Sequence, residues 1–405
     1  MKETEASIIK TIIEKRYSIG EFTSFEKLHR GYVNESYIIE TLANGERHKF
    51  FLRKYRAGIK AEEIRFEHSI IAHLTEKKFT LAARVINARD GNTCIEYPEE
   101  KRAQVARYAL YDFLSGDDCY TWVNPRCTNT HLKIAAVVLA RYHDAVSDLI
   151  PAGRRREPVI LDLLPMIARI LNRRLRETGD NVFHTYLDEH RNLISRDIEE
   201  TLNAMRTEAY QHLPKLAIHC DFHPGNLKFQ GDEVAGLFDF DWSKLDVRAF
   251  DVALALFYFC TAWERDGCQD GEFLLRQAAV FLHAYQESLR ESSEVGPLNA
   301  GEMDFLPTLI RASNLYVLYW AVMDFYAKEV DPQEYLGYLR HNVCLMRWLG
   351  DGENWKKLES MLVQVESRPN CLILPDHQIK SGNNSRNLFC RPDNQFGSAT
   401  RPRTR

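Results

Sequence analysis

His219-Cys-Asp-Phe-His-Pro-Gly-Asn226 and Leu237-Phe-Asp-Phe-Asp-Trp242 lie on either side of a short segment that reads as a hairpin. No other feature of the chain restricts its fold as tightly. Leu216 to His219 reads as a short strand, Pro224-Gly225 as a tight turn, and Gln230-Gly-Asp-Glu233 as the bend of the hairpin. A strand therefore ends on an acid, a turn ends on an amide, and a returning strand ends on a second acid. Polar groups at the ends of buried elements are costly unless they are paired or bind something.

The remainder of the chain divides by character. Residues 4–17 read as an amphipathic helix carrying Ile8, Ile9, Ile12 and Ile13. A β-rich region follows, with a strand at Tyr37–Thr41, a turn at Asn44-Gly45 and a returning strand at Lys49–Tyr55. A helix over about 61–77 directs Ile64, Ile70, Ile71 and Leu74 toward a core, and Ala106–Leu114 reads as a buried strand. Beyond Gly116 helices dominate: a buried central one at Leu132–Val146, two charged amphipathic ones at 161–176 and 181–209, and four more at 250–262, 272–290, 303–328 and 332–348. The expected fold class is α+β and bilobal. A small β-rich N-lobe spans 1–114 and a larger, mostly helical C-lobe spans 115–370, with a cleft between them suited to a bulky ligand. The polar stretch 371–405 is expected to be a disordered tail.

Composition narrows the setting. The formal net charge of −4 gives no electrostatic reason to expect a nucleic-acid partner. Nine cysteines without a Cys-x-x-Cys pair suggest free thiols in a reducing compartment. The first residues lack a signal-peptide pattern and no apolar run is long enough to cross a bilayer, so no membrane partner and a cytoplasmic location are expected.

The polar set matches the needs of phosphoryl transfer from ATP with Mg²⁺, which depends on positioning and charge more than on covalent chemistry. Asp221 can take the proton of an acceptor hydroxyl; the alternative is an Asx-turn that satisfies local amides. Asn226 offers a neutral oxygen to a hard cation, or is simply a turn residue, and Asp239 offers a carboxylate at the end of a buried strand. Asp241 either shares the cation or holds the loop. His219, Asp221 and His223 also admit a metallohydrolase cluster, but the Pro-Gly turn begins at once, and His219 reads better as a residue bracing the loop. In the N-lobe, Gly31 allows close backbone approach to phosphates, although an ordinary hairpin explains it equally. Arg53 and Lys54 must point to opposite faces of their strand, and Glu62, Glu63 or Glu67 can pair with whichever faces the cleft. Arg154-Arg-Arg reads as a solvated surface run. Asp117, Asp118 and Asp251 can attract an ammonium group, as can Tyr316, Tyr319 and Trp320 through their rings. Tyr316 and Trp320 share helical spacing, however, and read first as core.

The two motifs resemble the signature of the aminoglycoside phosphotransferase and choline kinase superfamily, small-molecule kinases with a protein-kinase-like fold. The region from Gly236 to Asp251 is most similar to type II homoserine kinases. Cys220 stands where the commonest family form has glycine, and a cysteine is small enough to fit there. The resemblance spans about residues 25–350. It implies Asp221 as catalytic base, Asn226 and Asp239 as magnesium ligands, and Arg53, in place of the usual lysine, contacting phosphate with Glu67 as its helix partner. It further implies that Tyr111-Asp-Phe-Leu114 is the hinge, with the backbone of Asp112 and Leu114 meeting adenine. The acceptor is then the hydroxyl of a small molecule such as homoserine, choline or an aminoglycoside. A catalytically idle nucleotide-binding protein of the same fold is the alternative; the intact Asp221, Asn226 and Asp239 stand against it.

Overall fold

The computed structural model describes residues 4–28, 33–99, 104–176, 181–264, 267–290 and 293–367. Gly31 and the tail expected at 371–405 lie outside the described residues.

Thr4 caps the first helix, α1 (Glu5–Arg16), by accepting from the Ser7 N–H, and Ile9, Ile12 and Ile13 form its buried stripe. That stripe covers one face of an antiparallel sheet built from β1 (Glu21–Leu28), β2 (Glu35–Ala43) and β3 (Glu46–Lys54). After α2 (Ala61–Glu76) the chain adds β4 (Val85–Ile86), β5 (Ile95–Glu99) and β6 (Gln104–Asp112). The strand order is β1-β2-β3-β6-β4, and β5 pairs with the same edge of β6 as β4, further along it.

Strand alternation assigns each residue of β3 a face. Leu52 faces α1 with Tyr37, Ile39 and Leu110, whereas Phe51, Arg53 and, just beyond the strand, Tyr55 face α2. Lys54 points away from that face and pairs with Glu35 at 3.1 Å.

The helical part comprises α3 (Asn129–Ala145), α4 (Ile160–Arg174), α5 (Val182–Glu189), α6 (Arg191–Met205) and the short α7 (Glu208–Gln211). It then continues through β7 (Lys215–Ile218), β8 (Leu227–Gln230), β9 (Glu233–Leu237), β10 (Lys244–Val247), α8 (Arg248–Cys260), α9 (Leu275–Ser288), α10 (Ala300–Ala327), α11 (Pro332–Gly350) and α12 (Gly352–Ser367). The segment read as one helix over 181–209 is three. It breaks at His190, which caps both α5 and α6, and again before α7, where Thr207 caps the new turn. The 16-residue α12 was not anticipated; Leu358, Met361, Leu362 and Val365 bury its inner face. One continuous apolar core runs from the inner face of α2 through α3, α8 and α10. Among the described residues no helix is long and apolar enough to cross a membrane.

Candidate active site

Two small antiparallel ladders assemble the site. β7 pairs with β10, from Ile218 opposite Lys244 to Lys215 opposite Val247, so the loop after β7 and the loop before β10 leave the same edge. β8 pairs with β9 with Leu227 opposite Leu237, and the Phe238 N–H donates to the Asn226 carbonyl at 3.2 Å. This register sets Asn226 and Asp239 at the root of one hairpin.

The first loop is held from beneath by Asp251 on α8. Its carboxylate accepts from the backbone N–H groups of His219 and Cys220, both at 2.8 Å, and bonds to His143 Nε2 at 3.0 Å. Burial works against the charge, but these donors and the neighbouring imidazoles hold Asp251 below the usual carboxylate range. With no exposed surface, it cannot attract a ligand's ammonium group, which corrects that expectation. Asp118, another residue considered for that task, pairs with Lys228 at 2.6 Å.

His219 does brace the loop. Its Nδ1 accepts from the Asp221 N–H at 3.3 Å and its Nε2 faces the Phe238 carbonyl at 3.1 Å, a pairing that suits the neutral Nε2–H tautomer. Burial pushes its pKa down, in keeping with that form. His223 Nδ1 accepts from the Gly225 N–H at 3.0 Å. Both ring nitrogens of His219 and one of His223 thus serve the loop, and the metallohydrolase cluster is not assembled. Among the described residues no group of three or more His, Cys, Asp or Glu side chains forms a metal cage.

Cys220 fits the glycine position by size, being 1% exposed, but it adopts φ 61°. Glycine suits this position because of backbone handedness as much as space. A non-glycine residue in the left-handed region costs on the order of 1 kcal/mol.

Asn226 Nδ2 donates to the Asp221 backbone carbonyl at 2.9 Å and to its carboxylate Oδ2 at 3.0 Å. Tyr258 on α8 approaches the other carboxylate oxygen at 3.5 Å. Since the amide NH₂ is committed to Asp221, the Asn226 amide oxygen is the atom left to face a cation.

Asp239, also left-handed at φ 70°, is met by Arg53 of the sheet, whose Nη2 lies 2.8 Å from Oδ1. The other arm of the guanidinium reaches Glu67 on α2 at 3.1 Å. Glu67 also accepts from Tyr55 at 2.8 Å and Tyr111 at 3.1 Å, and His68 closes this buried network. Arg53, Glu67 and Asp239 therefore form one chain of side-chain bonds linking β3, α2 and the loop after β9. The sequence offered Tyr111 as the first hinge residue and Tyr55 as the end of a strand, not as partners of Glu67, although Tyr55 shares the strand parity of Arg53.

Burial and the carboxylates of Asp241 and Asp221 hold Asp239 well above the usual carboxylate range, against the pull of Arg53. Asp241, the secondary candidate, accepts from Asn34 Nδ2 at 2.7 Å, while its buried Oδ1 has no hydrogen-bond partner. Crowded carboxylates with an orphaned oxygen fit a divalent cation held jointly by protein and phosphates, as Mg²⁺ commonly is. Asp112 and Leu114 lie at the end of β6 and in the link beyond it. The Asp112 N–H is engaged with the Arg84 carbonyl at 2.9 Å, which closes that donor to a ligand, and Leu114 packs against Gly236 of the hairpin. Tyr316 is buried, as its spacing implied, and Trp320 packs edge-on against Trp242 at 4.3 Å.

An antiparallel-sheet lobe followed by a helical part, with an acid–amide–acid set meeting an arginine of the sheet, is the arrangement of a small-molecule kinase. The sequence profile of the phosphotransferase enzyme family matches residues 24–294, and the chain belongs to that family. It is 27% identical to the homoserine kinase of Nitrobacter hamburgensis over 336 residues, covering 80% of this chain and 89% of that one. It is 28% identical to the homoserine kinase of a Bradyrhizobium species over 337 residues, with the same coverage. The fold is similar to that of a spectinomycin phosphotransferase in complex with ADP and spectinomycin, with a TM-score of 0.57 at 13% identity, covering 90% of this chain and 99% of that one. A microcompartment-associated aminopropanol kinase matches with a TM-score of 0.56 at 15% identity, covering 89% and 99%.

Proposed function

We propose that this protein transfers the γ-phosphoryl group of Mg-ATP to the hydroxyl of a small amino alcohol, with homoserine the first acceptor to test. The observation that carries this reading is the pair of bonds from Asn226 to Asp221, set beside Asp239 by the register of the hairpin. Asp221 orients the acceptor hydroxyl and takes its proton. Asn226, through its amide oxygen, and Asp239 hold magnesium, and Asp241 stands behind them. Magnesium, when bound, neutralises the phosphate oxygens. Arg53, kept in place by Glu67, presents a guanidinium fork to the phosphates, the geometry that arginine supplies and lysine does not. The hinge at 112–114 receives adenine.

Likeness to the homoserine kinases over four-fifths of the chain favours an acceptor with both an amine and a hydroxyl. A reducing, cytoplasmic setting agrees with the free thiols of the described cysteines. The test is ³¹P NMR of a reaction containing Mg-ATP and homoserine. A phosphomonoester signal growing in step with ADP supports the reading. ADP formed only alongside free phosphate, with homoserine and related amino alcohols unmodified, refutes it.

A further inference from the structure

Arg154-Arg-Arg is not the solvated run that its composition suggested. Arg154 and Arg156 are exposed, but Arg155 is 8% exposed, and the run belongs to a segment that crosses α2. The Ala152 N–H donates to Ser69 Oγ at 3.0 Å and the Arg154 N–H to the Glu62 carbonyl at 3.1 Å. Between them Gly153, at φ 89°, approaches so closely that a Cβ would lie 2.2 Å from the Glu62 carbonyl oxygen. Arg155 then turns inward, with its guanidinium 3.7 Å from Glu63 on α2 and 4.8 Å from the ring centre of Trp242. Trp242 ends the turn that carries Asp241. The far end of the segment is fixed as well. Glu157 pairs with Lys244 at 2.7 Å and accepts from Tyr316 at 3.0 Å, and the Ile160 N–H donates to Asp246 at 2.7 Å.

We infer that residues 151–158 form a strap fixing α2 to the metal-facing loop, with Arg155 the positioning residue that keeps Glu67, Arg53 and Asp239 in register. The inference rests on the kinase reading for its meaning and on geometry for its existence. Arg155 touches α2 on one side and the Asp241 turn on the other, and its Nε has no hydrogen-bond partner. A charge buried with so few bonds contributes little to stability on its own. What the contacts do provide is a fixed spacing between two elements that must present their charges to one ligand. The strap therefore makes α2 a permanently docked helix, so that the Arg53 fork is set before nucleotide arrives.

The experiment compares full-length protein with Arg155→Gln, Arg155→Lys and, as a control on a neighbour whose side chain is exposed, Arg154→Gln. Arg155→Gln is expected to speed hydrogen exchange of α2 amides by about ten-fold while leaving α3 unchanged. It should also weaken Mg-ATP binding by calorimetry about five- to ten-fold, with the acceptor KM within about two-fold of the parent. Arg155→Lys keeps the charge but loses the guanidinium over the Trp242 ring, and should show the same pattern at roughly two- to four-fold. Arg154→Gln should match the parent. Unchanged α2 exchange and Mg-ATP affinity in Arg155→Gln would overturn the inference, as would equally faster exchange in α2 and α3. If Arg155→Gln does not fold, Arg155→Lys decides: parental values overturn the inference, and the graded pattern supports it. A parent that binds no Mg-ATP would sink the kinase reading alone, because the exchange comparison still reports on the strap.

Discussion

Asn226 commits its amide NH₂ to Asp221, bonding both the backbone carbonyl at 2.9 Å and the carboxylate at 3.0 Å. One side chain thereby fixes the Asp221 carboxylate and leaves its own amide oxygen outside those bonds, the atom that the kinase reading assigns to magnesium. Asn226→Ala should lose turnover by about 10²-fold or more and raise the magnesium concentration needed for half-maximal rate. Steady-state rates across a magnesium titration check this; a lowered rate with an unshifted magnesium requirement would remove Asn226 from the metal.

Arg53 stands between Glu67 and Asp239, so its fork depends on α2. Glu67→Gln keeps the shape of the side chain but weakens that hold. We expect KM for Mg-ATP to rise by about ten-fold while KM for the acceptor stays within about two-fold, as initial-rate kinetics with each substrate varied will show. Arg53→Lys should give a similar rise, since one point charge replaces a planar fork.

At Cys220 two common substitutions should reverse their usual order. Alanine removes the thiol but keeps a Cβ at φ 61°, whereas glycine removes both the thiol and the strain. Glycine normally costs about 0.5–1 kcal/mol relative to alanine within regular structure. Here Cys220→Gly should be the more stable of the two by about 1 kcal/mol, read from urea-denaturation midpoints. A more stable Cys220→Ala would show that the left-handed backbone is not strained.

Asp197 on α6 is buried, with Oδ2 lacking a hydrogen-bond partner, and burial outweighs Arg311 to push its carboxyl up to about 6. Its folded pKa thus lies above its unfolded value. Between about pH 4 and 6 the folded chain keeps a proton that the unfolded chain releases, so Asp197 makes the protein less stable as pH rises through that window. Asp197→Asn should remove this loss, gaining roughly 2–3 kcal/mol on the parent between pH 4 and pH 7. Parallel stability–pH curves for the two proteins would contradict it.

The core of the site was legible in the sequence because it is local. Asp221, Asn226 and Asp239 sit on a loop and a hairpin whose turn residues are close together in the chain. Strand parity narrowed Arg53 and Lys54 to one per face, the family resemblance favoured Arg53 with Glu67, and the fold sets α2 on the face of Arg53. What escaped depends on contacts between distant segments. Asn34 meets Asp241 across 207 residues, and Asp251 reaches back to the loop at 219–220 across about thirty. Asp251 looked like a ligand-facing acid because its burial is invisible in composition. Arg155 looked solvated because its neighbours are. The helix read over 181–209 failed at His190, where periodicity continues but the backbone does not.

The most direct test is ADP release from Mg-ATP over a panel of homoserine, choline, ethanolamine, sugars and aminoglycosides, run with the parent protein and Asp221→Asn. The kinase reading predicts that at least one amino alcohol stimulates release in the parent. It also predicts that Asp221→Asn lowers that rate by about 10²-fold or more while Mg-ATP affinity holds. Stimulated release that survives in Asp221→Asn, or a parent that fails to bind Mg-ATP at all, would contradict it.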